Sequence, residues 1–406
     1  MTRRALDDRA LARGEAIFLI LTLIVMGQAS IDIYLPSMPA MASDFNVNSA
    51  VIQLTVSLFL LGYGFSQLFY GPLSDHYGRR AVLFFGLPLF TVSTIACVLT
   101  HSAGWLLFFR LCEGVGIGTA SVSARSIMRD CFSSDELPRI SSYMAMAWAL
   151  VPTTAPMIGG YIQNFLGWRS IFLLLVALSI LLSVYVFSRV PETNKHTQAG
   201  PISLKAPFHA YKTVLSNKTF GGNMLVLSAL FSIFSIFNAY SAFLFEVKWG
   251  ASPVIYGWIL LFISFGYMLG SFLNSRLIAL LDVRRVTSLG MAVIVLTSGI
   301  SVLMHRWGLM NGVGLALVMF LTYAGLGLIF ANSIAASLRP FPKIAGSASA
   351  MYGFLVFTGG FASSAIFIKL LHPGLGVLVT AFLVLSLAMA LTFMVMAPNR
   401  PTPLKK

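Results

Sequence analysis

The sequence predicts an all-α polytopic membrane protein with twelve transmembrane helices in two pseudo-symmetric six-helix bundles. Three observations carry that prediction. Hydrophobic residues make up 57% of the 406 and charged residues 10%, whereas a soluble domain carries roughly 25% charged residues. Twelve runs reach the roughly 20 apolar residues that a helix needs to cross a bilayer: 16–41, 50–73, 81–100, 104–127, 138–163, 169–188, 220–246, 254–280, 285–305, 309–336, 343–370 and 373–397. Residues 189–218, "RVPETNKHTQAGPISLKAPFHAYKTVLSNK", are the one long polar interruption and leave six runs on either side. The predicted organisation is a cytoplasmic tail 1–15, a first bundle 16–188, a cytoplasmic linker 189–219, a second bundle 220–397 and a cytoplasmic tail 398–406.

Charge sets the orientation. A net charge of +14 would suggest nucleic acid in a soluble protein, but here the basic residues sort by side. With the N-terminus cytoplasmic, 22 of the 27 Lys and Arg fall on cytoplasmic segments, four on the opposite side, and Arg110 inside a span. The positive-inside rule therefore predicts cytoplasmic termini, with basic loops against an anionic membrane face and no nucleic-acid partner. The segment "MTRRALDDRALARGE" leads into the first run without a small-residue cleavage site, which predicts a retained span rather than a signal peptide. Cys97, Cys112 and Cys131 show no paired spacing, so neither a disulfide framework nor a zinc site is predicted.

The first span contains "SIDIYLPSMP", residues 30–39, with a carboxylate, Asp32, four residues before Pro36 and seven before Pro39. A charge at mid-bilayer costs at least about 2.5–3.5 kcal/mol and normally faces a cavity or a partner. Proline removes a backbone donor and disrupts the helix near the carbonyl four residues earlier, which for Pro36 is that of Asp32. The span is thus predicted to bend at its acid. Span four supplies the other two charges well inside the apolar runs, Arg110 and Glu113. At about 1.5 Å per residue, Asp32 and Arg110 lie at similar depth, and Glu113 shares a face with Arg110. Asp32, Glu113 and Arg110 are predicted to form one cluster, in which one acid exchanges a proton and the guanidinium balances charge. The competing reading is a static ion pair that fixes helix packing.

The loop after span two is "GPLSDHYGRR", 71–80. Gly71 allows close helix approach, and Asp75 stands beside a helix end where Arg79 and Arg80 can pair with it; Asp130, in the next cytoplasmic loop, is a second candidate partner. A degenerate echo, "GSFLNSRLIALLDVRR" at 270–285, follows span eight and suggests internal duplication. The loop resembles the signature between spans two and three of the major facilitator superfamily, with Gly71, Asp75, Gly78, Arg79 and Arg80 in register and His76 where the family often has Arg. The resemblance implies a conformational latch. "DIYLPSMP" (32–39) is similar to the first-span signature of drug:proton antiporters of the bicyclomycin/chloramphenicol resistance type, which includes the EmrD-like exporters. "RLCEG" (110–114) resembles their Arg-x-x-Gln-Gly element, with Glu113 replacing the usual Gln. "WALVPTTAPMIGG" (148–160) resembles the antiporter motif, with Pro152 and Pro156 ahead of Gly159 and Gly160.

These resemblances imply a proton-coupled, inner-membrane multidrug exporter, probed through an adaptable apolar cavity. Residues on spans that line the pathway in the family are Tyr63, Gln67, Met144, Trp148, Phe234, Asn238, Tyr240, Trp258, Tyr323, Asn332 and Tyr352; Met and aromatic faces tolerate varied ligands. The alternative is an exporter dedicated to one endogenous metabolite, such as a siderophore or amino acid. "GVGIGT" (114–119) has no preceding strand and lies within a span, and no Walker motif occurs, so ATP is not the predicted energy source. No catalytic or metal-ligand constellation falls on a shared face. The prediction is therefore a transporter rather than an enzyme, a monomer with the proton as coupling ion and no cofactor. Glu246, near the outer end of span seven, reads as an interfacial charge beside Lys248.

Overall fold

The computed structural model describes residues 11–133, 135–194, 205–370 and 374–396. Residues 1–10 of the predicted N-terminal tail, 195–204 of the linker and the tail 398–406 lie outside the described residues. The first predicted span is broken in two. Helix α1, Arg13–Asp32, ends at the acid; a 3-10 turn, Leu35–Ser37, carries Pro36; and α2, Met38–Asp44, starts with Pro39 in its first turn. Proline at 36 cannot donate to the Asp32 carbonyl, so the break falls where the sequence places the bend.

The other five helices of the first half are α3, Ser49–Tyr77, α4, Arg79–Leu99, α5, Ala103–Cys131, α6, Leu137–Leu166, and α7, Trp168–Arg189. The linker carries a helix that the sequence does not announce, α8, Lys205–Leu215. It buries Val214, and its Tyr211 hydroxyl donates to the Leu68 carbonyl of α3 at 2.8 Å. Burial pushes the Tyr211 phenol up to about 12, which keeps it a neutral donor. In the second half, α9, Lys218–Ala242, continues through a π-helical segment, Phe243–Lys248. There follow α10, Pro253–Leu277, α11, Val283–Arg306, α12, Gly312–Leu338, α13, Ala345–Leu370, and α14, Leu375–Met396. Asn48, Asn217, Ser252 and Asn311 cap α3, α9, α10 and α12 by accepting from first-turn amides, which satisfies donors that a helix start leaves open.

Eleven of these helical stretches are long and apolar enough to cross a membrane. The twelfth predicted span is α6, 30 residues long, in which Pro152, Thr153, Thr154 and Pro156 dilute the hydropathy. An even number of crossings brings both ends of the bundle to one face, called here the terminal face; the other is the far face.

Packing repeats between the halves. Within the first, α3 and α4 pack on α5, α1 on α5 and α6, and α4 on α7; within the second, α10 and α11 pack on α12, α9 on α12 and α13, and α11 on α14. The two halves meet along α3 with α13 and along α6 with α10. Exchanging the halves converts one of these seams into the other, so the pseudo-symmetry extends to the interface. Ser57 and Ser364 share a 2.7 Å hydrogen bond toward the far-face end of the α3–α13 seam. At the terminal face the halves instead leave a cavity of about 490 Å³, lined by α3, α5, α8 and α13.

Candidate functional site

Asp32 is 1% exposed. It lies at the end of α1, where the chain leaves the helix, on the wall of a central cavity of about 90 Å³ between the halves. The side-chain amide of Asn238, from α9, donates to Asp32 Oδ1 at 3.1 Å, while Oδ2 is buried with no hydrogen-bond partner among the described residues. The cavity wall is otherwise largely aromatic and aliphatic: Trp148 and Pro152 from α6, Phe231 and Phe234 from α9, Tyr267 from α10, Tyr323 and Phe330 from α12, and Phe357 from α13. Gln28, one helical turn before Asp32, adds an amide to the same wall.

Arg110 and Glu113 do not join Asp32. Arg110 is fully buried, and its guanidinium donates to Glu113 Oε2 at 2.6 Å and to the Ser30 carbonyl at 3.3 Å. Three rings surround the guanidinium: Tyr34 at 4.3 Å, Phe59 at 4.4 Å and Phe172 at 5.9 Å from ring centre to Cζ. Neither residue lines the central cavity, and among the described residues Asp32 makes no ion pair. The predicted three-member cluster therefore separates into a cavity acid and a sealed ion pair. Equal depth does not mean equal azimuth: Ser30, which faces Arg110, and Asp32 are two residues apart and so point to opposite sides of α1.

The predicted cavity residues separate in the same way. Trp148, Phe234 and Tyr323 line the cavity, and Asn238 lines a small void continuous with Asp32. Tyr63 stands behind the wall, 4.6 Å from the Phe357 ring. Gln67 belongs to the terminal-face cavity, where its Oε1 accepts from Arg125 at 2.7 Å. Tyr240 lines a groove at the far face. Asn332 donates to Asn274 at 2.9 Å inside the second half. Trp258 is about half exposed and donates to the Tyr161 hydroxyl at 3.2 Å. Met144 and Tyr352 are partly buried in the core and not on the cavity wall. The sequence reading missed Gln28, Phe231, Tyr267, Phe330 and Phe357. Only Gln28 left a signal, its four-residue spacing from Asp32. Arg125 lies within helix α5.

The proline–glycine segment of α6 forms the seams around the acid. A Cβ at Gly159 would overlap the Ile33 carbonyl, and one at Gly160 would overlap the Pro253 carbonyl of α10, so only glycine permits α6 to touch both α1 and the opposite half. The Pro152 carbonyl accepts from Ser264 Oγ at 3.4 Å across the same seam.

Comparison with known proteins agrees with this architecture. The model of the Major Facilitator Superfamily matches residues 18–248. The chain belongs to the major facilitator superfamily. It is 29% identical over 383 residues to multidrug resistance protein D of Escherichia coli (strain K12), covering 94% of this chain and 95% of that protein. It is 26% identical over 351 residues to a bicyclomycin resistance protein homolog of Haemophilus influenzae (strain ATCC 51907 / DSM 11121 / KW20 / Rd), covering 84% and 86%. Among solved structures, that of a D-xylose-proton symporter superposes with a TM-score of 0.72 at 16% identity, covering 93% of this chain and 97% of that one, which shows the fold.

As a major facilitator protein, the chain is a multi-pass membrane transporter for small molecules, and its loop between the second and third spans is built as follows. Arg79 pairs with Asp75 and, through Nε, with Asp130 Oδ2 at 2.9 Å. Glu192, which the sequence reading did not single out, accepts from the backbone amides of Arg79 at 2.8 Å and Arg80 at 3.0 Å, capping α4. Gly78 sits at φ +104°, and a Cβ there would run into the Glu192 carboxylate. The Arg80 guanidinium donates to the Phe187 carbonyl at 2.9 Å. Gly71 has open space around it. Asp75 meets Arg79 and, through its carbonyl, Asn194 of the linker; its described partners lie in the first half and the linker rather than in the second half.

Proposed function

We propose that this protein exports lipophilic small molecules in exchange for protons, by alternating access, as a proton-coupled multidrug transporter. The observation that carries the reading is Asp32: a buried acid on the wall of an apolar cavity, held by a residue of the opposite half. A proton on such a group competes with whatever occupies the cavity, and both halves register its charge. The names of the relatives, which speak of multidrug and bicyclomycin resistance, support a drug-like substrate class. The distribution of Lys and Arg supports a cytoplasmic terminal face in a bacterial inner membrane.

In the proposed cycle, a proton from the far face neutralises Asp32 and the cavity turns toward the cytoplasm. Substrate enters from the terminal face and displaces the proton, and the loaded carrier turns outward. The aromatic wall accepts varied apolar shapes, and Asp32 with Gln28 and Asn238 supplies the polar contacts. Arg110 and Glu113 act as a packing pair that ties α5 to α1 through the Ser30 carbonyl. The loop from Gly71 to Arg80, with Asp130, is the latch that biases the two orientations, and the proline–glycine segment of α6 is the seam on which they turn. The proton is the coupling ion, with no cofactor, and one chain contains the whole pathway.

The test is efflux from cells stripped of their own exporters, loaded with a panel of lipophilic cations, phenicols and neutral drugs. Energy-dependent loss of chemically unrelated members is the expected result. Retention of the whole panel would contradict multidrug export and point to one dedicated metabolite.

A further inference from the structure

Glu246 is the one acid of α9 and its continuation, and it lies on the π-helical segment Phe243–Lys248. Such segments recur at functional sites. Glu246, read from the sequence as an interfacial charge beside Lys248, makes no ion pair among the described residues, and the Lys248 ammonium stands 5.9 Å from the Trp249 ring centre. Its Oε1 is buried without a hydrogen-bond partner. That is a costly arrangement for a side chain with only a structural role.

Polar groups lead from this carboxylate toward the cavity. Tyr256 of α10 is wholly buried, shares a 2.7 Å hydrogen bond with Ser241 Oγ, and packs its ring 5.8 Å from that of Phe245, the residue before Glu246. Leu260, one turn beyond Tyr256 on α10, and Tyr323 of α12 both line a small void beside Asp32. With Asp32, Asn238 and Ser264, Tyr323 lines this void of about 10 Å³, near the lower limit for one water. Ser241 is three residues beyond Asn238, on the same face of α9. Among the described residues, Lys248 on the same segment and Lys369 of α13 are the charged groups of the adjoining groove, which Tyr240 also lines.

We propose that Glu246 is the proton-uptake residue of the far face, delivering protons to Asp32 through Ser241, Tyr256 and Tyr323. The proposal rests on the proton-coupled reading above and adds to it the route of entry. A proton from far-face water binds the Glu246 carboxylate. As the carboxyl group passes it inward, each hydroxyl accepts one proton and releases its own, and the last, carried by water, reaches Asp32 Oδ2. Glu246 ends as the carboxylate and Asp32 as the neutral acid; the hydroxyls are unchanged and no electron moves.

The experiment needs no substrate. Purified protein in lipid nanodiscs is taken through a rapid downward pH jump while the infrared carbonyl stretch of protonated carboxyl groups is followed; the band lost in Asp32→Asn belongs to Asp32. Glu246→Gln is expected to slow the rise of that band about tenfold or more, Glu246→Asp to slow it less, and formic acid in the buffer to restore the rate. Tyr256→Phe, a smaller change, is expected to slow the same band and serves should Glu246→Gln fail to fold. Wild-type rates in both variants would overturn the relay, as would a slowing that formic acid leaves untouched. Absence of any Asp32 band in the unaltered protein would instead overturn the proton-coupled reading, and the relay with it.

Discussion

Asn238 of α9 holds Asp32 of α1 across the interface, with amide nitrogen to carboxylate oxygen at 3.1 Å. One hydrogen bond thus links the two halves at the one acid that lines the cavity among the described residues. Bonds to a charged group are worth about 1.5–3 kcal/mol and bonds between neutral groups about 0.5–1.5. Protonating Asp32 therefore alters a contact that any rearrangement of the halves must make or break.

Replacing Asn238 by Leu leaves both Asp32 oxygens buried without a donor. The expected cost is about 1–3 kcal/mol, seen as a lower thermal unfolding midpoint in detergent. Proton-driven export is expected to fall about tenfold, the kinetic equivalent of roughly 1.4 kcal/mol. An unchanged midpoint with unchanged export would show that the bond is incidental.

Arg110 and Glu113 are expected to behave as a pair. Arg110→Leu strands a buried carboxylate, at a cost of about 3–5 kcal/mol. Arg110→Leu combined with Glu113→Leu removes both charges and should be the more stable of the two variants. Arg110→Lys keeps a charge but loses the planar guanidinium that three rings enclose, and should fall between wild type and Arg110→Leu. Thermal unfolding of the four proteins, followed by intrinsic fluorescence, gives the order.

Gly160→Val forces α6 away from the Pro253 carbonyl. Transport should be lost while the chain still inserts. Gly221→Ala, at a position with open space around it, should transport normally. Equal activity of the two variants in efflux assays would remove the close seam from the account.

Glu192→Ala leaves two amides at the start of α4 without their carboxylate. The expected loss is about 1–2 kcal/mol, concentrated at that end of the molecule. Hydrogen exchange at Arg79 and Arg80 should speed up, with α5 amides unchanged.

Much of this was legible because water and lipid sort side chains so sharply. Twelve apolar runs and one polar interruption fix the spans, and a lone acid in an apolar run stands out, as do the prolines that break the helix after it. Azimuth was not legible. The depth of Arg110 could be counted from the sequence, but the side of α1 it would meet depends on how α1 and α5 pack, and it meets Ser30. Phe231 and Phe357 face the cavity while Phe65 and Phe85 are 48% and 63% exposed on the outer surface, and nothing in their immediate sequence separates them. Trp258 and Asn332 were expected in the cavity for the same reason and sit elsewhere. The helix α8 escaped notice because its few apolar side chains lie in a polar stretch too short to span a membrane.

The most direct measurement uses everted membrane vesicles with an acidified interior and a pH-sensitive dye, to which lipophilic cations, phenicols and neutral drugs are added in turn. Wild-type vesicles are predicted to lose their gradient when a substrate is added, and Asp32→Asn vesicles to keep it. Equal gradient loss in both would contradict the assignment of Asp32 as the coupling acid.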